Sequence, residues 1–163
     1  MILKEMNFSG LPSKLPSFMI DGANEIIDAY LDVDKEMMEH YPKRLIRNYQ
    51  LTVGGDSWAY LDSVQNNIIR LVNGSELVSL LCDKPKYFIQ AMKACPINII
   101  ILNLYGGVSA AGKSFSDFSS VTVEDFAFAL ADIAIKTALR DRENELEDHC
   151  DMVNDFIADY MEQ

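Results

Sequence analysis

Cysteine is scarce and poorly placed for either of its structural uses. Cys82, Cys95 and Cys150 are the only three in 163 residues. They are odd in number, widely spaced and never in a CxxC pair, so neither a disulfide framework nor a thiolate zinc site is expected. Reduced thiols in a cytoplasmic protein are the expected state. Long apolar runs are also missing: the longest, Ile99 to Leu104, is interrupted by Asn103 and is far too short to cross a bilayer. The opening stretch MILKEMNFSGLPSKLPS lacks an apolar h-region and a small-residue cleavage pattern, so no signal peptide is expected. No GxSxG elbow occurs, and no cysteine has a basic partner nearby that would activate it, so nucleophilic hydrolysis is not indicated. Basic residues are few, 14 against 25 acids, for a net charge of −11. Direct nucleic-acid binding is disfavoured, because phosphates need a basic face.

What remains is an ordinary globular composition, 49% apolar and 24% charged, over a length that suits one domain and one core. The charge is unevenly placed. Residues 21–39 hold seven acids and one lysine, net −6; residues 141–163 hold nine acids and one arginine, net −8; the rest is net +3. Two acidic segments therefore flank a slightly basic middle, and the partner this favours is another protein with a basic surface.

The apolar spacing predicts helices almost throughout. Residues 1–20, with Gly10, Pro12 and Pro16, read as an irregular arm. A helix is predicted from Asp21, as N-cap, to Pro42, with Ala23, Ile26, Ile27, Tyr30, Leu31, Met37, Met38 and Tyr41 on its apolar face. Residues 43–53 fit a short helix or a short strand (Tyr49, Leu51, Val53) equally well. A second helix is predicted from Asp56 or Ser57 to Val72, with Trp58, Leu61, Val64, Ile68, Leu71 and Val72 inward and Gly74 as its stop. SELVSLLC and DKPKYFIQAMKAC each predict a short helix. Thr122 and Asp125 fit a capping box that opens a long or broken amphipathic helix over 122–162. The expected fold is mainly α: a single-domain helical bundle with at most a minor β element.

One stretch names a chemistry. Gly107-Val108-Ser109-Ala110-Ala111-Gly112-Lys113-Ser114 matches G-x-x-x-x-G-K-[ST] literally, after the apolar run 97–105. In a phosphate loop, Gly107 and Gly112 would open the backbone amides toward the anion, Lys113 would reach the β/γ oxygens and the Ser114 hydroxyl would hold Mg²⁺. The context speaks against it. FSDFSSVTVED is a poor helix start, no parallel sheet is foreseeable, and Pro96 with Gly106 brackets the preceding run as a buried helix as well as a strand. Nucleotide binding is carried as the alternative reading, and no cofactor is assigned.

The remaining constellations are weaker. Glu36–His40 and Glu145–His149 are i,i+4 pairs, whereas the di-iron carboxylate arrangement needs Glu-x-x-His, so solvated acidic faces are expected and no metal. Eight methionines, among them Met37, Met38, Met152 and Met161 on the acidic helices, suit core filling first and adaptable partner contact second. Leu139, Leu146, Val153 and Tyr160 recur every seven residues with Phe156 and Ile157 between them. This heptad-like seam is a candidate for partner binding or homo-oligomerisation, set against an amphipathic helix packing on its own domain. The function expected is non-enzymatic: an acidic helical protein-binding module, as adaptor, assembly chaperone or inhibitor, of the kind bacteria or bacteriophages use as accessory factors. A second alternative is an acidic DNA mimic that inhibits a nucleic-acid-binding protein.

Overall fold

A helix that is apolar on nearly every side must lie inside something, and residues 127–139, AFALADIAIKTAL, come close to that, with Asp132, Lys136 and Thr137 their only polar residues. In the computed structural model this segment is the axis around which the other helices gather. The structure describes residues 15–40, 57–72, 75–95, 100 and 121–162; the side chains of 37, 57–63, 160 and 161 lie outside that set. Six helices occur among the described residues: α1 (Ser17–His40), α2 (Ser57–Val72), α3 (Glu76–Asp83), α4 (Pro85–Ala94), α5 (Val123–Asp141) and α6 (Glu143–Glu162). No strand occurs among them, and the fold is a mainly α bundle.

α5 packs against α1, α2, α3 and α4, and its residues 129–139 are all buried. Ala127, Ala129, Ala131, Ala134 and Ala138 keep it slender enough for several helices to approach at once, while Leu130, Ile133, Ile135 and Leu139 fill the spaces between them. The partners contribute Met19, Ala23, Ile27 and Leu31 from α1, Val64, Ile68 and Val72 from α2, Leu77 and Leu81 from α3, and Ala91 from α4. Aromatic pairs tie the outer helices: Phe18 of α1 meets Tyr87 of α4 with centroids 4.6 Å apart, and Phe88 of α4 meets Phe126 of α5 at 6.5 Å.

Several helix ends follow from local chemistry. The capping box at Thr122 forms in full: the Asp125 amide donates to Thr122 Oγ1 at 3.2 Å, and the Thr122 amide donates to Asp125 Oδ2 at 2.9 Å. Pro85 occupies the first turn of α4, where its missing N–H has no helical partner to lose. Ser75 closes α2, with its amide (3.1 Å) and its hydroxyl (2.9 Å) both donating to the Val72 carbonyl.

The structure corrects two expectations and selects between the two forms of a third. α1 begins at Ser17, one turn before the expected N-cap Asp21. Met19 is fully buried, Phe18 stacks on Tyr87 and the Met19 amide donates to the Pro16 carbonyl at 3.0 Å, so packing carries the helix back to the proline. Leu71, expected inward, is 50% exposed at the last turn of α2. Of the long or broken helix expected over 122–162, the broken form occurs, divided at Arg142 into α5 and α6. The N-terminal arm up to residue 14, the helix-or-strand segment 43–53 and the side chains of Trp58 and Leu61 lie outside the described residues. So do Gly107, Gly112, Lys113 and Ser114; from the apolar run before them only Ile100 is described, and it is helical and fully buried.

Candidate functional site

The acids of α1 recur at steps of three and four. Asp21, Glu25, Asp28, Asp32, Glu36 and Glu39 therefore share one side of the helix, and all six are exposed. On α6, Glu143, Glu147, Asp151, Asp155 and Asp159 form a similar exposed row, opposite the buried Leu146, Cys150, Val153 and Ile157. Amphipathicity produces both rows: each helix gives its apolar side to the core and is left with carboxylates outside.

Two long-range side-chain bridges link these acidic helices. Arg142, at the α5–α6 break, reaches Asp28 Oδ1 at 2.7 Å and the Asn24 carbonyl at 3.4 Å on α1. The same guanidinium binds Glu145 at both oxygens, at 2.7 and 2.8 Å. The hydrogen bond to Glu145 contributes most to keeping Arg142 charged, with Asp28 adding to it, and Arg142 in turn holds the Glu145 carboxyl below the usual range. Nearly two turns further along both helices, His149 Nε2 lies 3.2 Å from Asp34 Oδ2. Both residues are buried. The bridges 28–142 and 34–149 advance together in sequence, so α1 and α6 run parallel over this stretch.

Beside the His149–Asp34 contact, Tyr30 accepts a hydrogen bond from the Asn67 amide of α2 at 3.1 Å. Burial pushes the Tyr30 phenol above its ordinary pKa, with Asp34 adding to the rise and Asn67 opposing it. A second buried polar group lies within α5: Lys136 Nζ contacts Asp132 Oδ2 at 2.6 Å, with the two side chains 1% and 7% exposed. Asp132 Oδ1 has no hydrogen-bond partner. Burial raises the Asp132 carboxyl pKa by more than the neighbouring Lys136 lowers it.

The sequence-derived seam does not face outward. Leu139, Leu146, Val153 and Ile157 are buried in this chain's own core, Phe156 packs partly against it, and the Tyr160 side chain lies outside the described set. The break at Arg142 puts Leu139 on a different helix from the others, and α2 covers the α6 part of the seam. An amphipathic helix packing on its own domain describes what is seen.

Sequence reasoning missed Asp34, His149, Asp132 and Lys136 as buried residues, counting the first two among solvated acidic faces. The signal was present. Asp34 continues the apolar series Ile27, Leu31, and His149 falls between Leu146 and Val153 on the same side. Among the described residues no group of three or more His, Cys, Asp or Glu is placed to hold a metal ion, and no helix is long and apolar enough to cross a membrane. No known family, curated protein or solved structure matches this chain.

Proposed function

We propose that this chain is a non-enzymatic protein-binding module that engages a basic protein surface with the exposed acids of α1 and α6. The observation that carries this reading is the pair of bridges, Arg142–Asp28 and His149–Asp34, which link the two most acidic helices. A rigidly presented row of charge steers association with an opposite surface and selects against acidic partners. Adaptor, assembly chaperone and inhibitor are the roles such a surface serves.

The test is capture from a lysate of the native host at rising salt. Wild-type protein is compared with Asp21→Asn/Glu25→Gln/Asp32→Asn/Glu36→Gln and with Glu147→Gln/Asp151→Asn/Asp159→Asn. These residues are exposed and outside both bridges, so the variants retain the fold. Capture of a discrete basic protein by wild type, weakened by either set and by salt, is expected; capture indifferent to both sets rejects the reading. The straight row on α1 favours one specific form of it, a mimic of a phosphate strand. That form requires the captured protein to bind DNA and duplex DNA to displace it.

A further inference from the structure

α4 carries a surface unlike that of the two acidic helices α1 and α6. Lys86, Ile89, Gln90 and Lys93 recur at three and four along its outer side and are all exposed, Ile89 by 51%. The opposite side holds the buried Ala91 together with Phe88 and Met92, which pack on the core. No acid occurs on α4 itself; the nearest, Asp83, ends α3. The ammonium groups of Lys86 and Lys84 stand 5.1 and 5.6 Å from the centre of the Tyr87 ring, and that ring stacks on Phe18, so this end of the strip is anchored. An exposed isoleucine between two lysines one heptad apart is a contact waiting for an apolar side chain between two carboxylates.

α6 has that complement. Asp148, Met152 and Asp155 lie on one side of it at steps of four and three, all exposed, Met152 by 41%. Lys86 and Lys93 are seven residues apart, as are Asp148 and Asp155, and on an α-helix each interval spans about 10.5 Å. Two helices laid antiparallel therefore bring Lys86 to Asp155 and Lys93 to Asp148 in the same register that sets Ile89 on Met152. Methionine adapts its shape to such a contact. The overall negative charge of each copy does not forbid this, since separated surface charges are screened beyond about 8 Å at physiological ionic strength while the facing pairs lie well inside that range.

We infer that a second copy of this chain docks α6, through Asp148, Met152 and Asp155, on the Lys86–Ile89–Lys93 strip of α4. The two faces are different, so a bound pair still offers one free face of each kind, and association is head to tail and open-ended unless the rotation closes a ring. This contact is not the buried seam of α6, and it goes beyond the reading of the acidic helices as a site for a foreign partner.

Sedimentation velocity of purified protein over a concentration series tests it without any other component. Wild type is expected to show a sedimentation coefficient that rises with concentration. Lys86→Glu/Lys93→Glu alone and Asp148→Lys/Asp155→Lys alone are each expected to sediment as monomers at every concentration, because each sets like charges face to face. An equimolar mixture of those two variants restores opposite charges at both types of contact and is expected to associate again. Met152→Asp alone is expected to remain monomeric. All substituted residues are exposed, and unchanged helical circular dichroism verifies the fold of each variant. Wild type that stays monomeric up to its solubility limit, or association that survives both charge reversals, overturns the proposal. Neither result bears on capture of a foreign partner, which is measured separately.

Discussion

Burying two charged residues within α5 is costly. Lys136 is fully enclosed and Asp132 nearly so, with one carboxylate oxygen unsatisfied. Removing one partner strands the other, so Lys136→Met is expected to destabilise the protein by about 3–5 kcal/mol, whereas Asp132→Leu/Lys136→Met is expected to be neutral or stabilising by about 1–4 kcal/mol. Urea unfolding midpoints of the three proteins check both statements. The pH dependence has a definite sign. An acid whose native pKa is raised favours the native state most while the carboxyl is protonated, and that advantage fades as pH climbs from the ordinary value of 3.8 through the raised one. Wild type is therefore expected to lose stability relative to the double variant as pH rises above the ordinary carboxylate range. Gly22 illustrates a constraint of contact: a Cβ there would stand 3.2 Å from Leu77 Cδ1, where α1 crosses the buried face of α3. At this scale the sequence was partly legible. Periodicity placed Ile27, Leu31, Val64 and Ile68 inward correctly, because burial of apolar groups is what periodicity reports. It passed over Asp34, His149 and Asp132 because a single charged letter inside an apolar series looks the same whether it is paired in the core or turned to water.

The elements themselves were easier to foresee, since caps and breakers act locally. Thr122 and Asp125 form the reciprocal hydrogen bonds their spacing implied, and Thr122→Ala is expected to cost about 1 kcal/mol, read as a lowered thermal or urea midpoint. The break at Arg142 was harder to foresee because nothing in RDRENE forbids a helix; the cause is tertiary, a guanidinium drawn to Asp28 and the Asn24 carbonyl on α1. Arg142→Ala is expected to release the start of α6 from α1, seen as faster amide exchange over residues 143–147 with α5 unchanged. Glu145 adds a pH signature to the same joint. Its native pKa is lowered, chiefly by the hydrogen bond from Arg142, so its contribution is present above the ordinary carboxylate range and is lost as pH falls through the depressed value. Because Glu145 is largely exposed, this effect is small. The start of α1 was misplaced for a related reason: Asp21 is a good cap in isolation, yet burying Met19 outweighs it.

For the whole molecule, amphipathic spacing made the helical class legible, while the neighbours of each helix were not, because order along the chain does not say which apolar face meets which. The heptad-like series in α6 shows the ambiguity well: the same letters serve a partner chain or α2, and here they serve α2. The acidic rows were visible as composition, but their alignment depends on bridges between residues more than a hundred positions apart. His149→Ala removes one such bridge and leaves Asp34 buried without it, for an expected loss of about 1–3 kcal/mol, together with faster amide exchange along α6 than along α5. The position of α5 in the chain also governs how the protein is made. Four of the helices that lean on it emerge from the ribosome earlier, and until residues 123–141 follow them Ile27, Ile68 and Leu81 have no common wall to press against. Nascent chains are therefore sticky for most of their synthesis, and a chain stopped before Val123 is a substrate for holding factors and proteases instead of a smaller version of the fold.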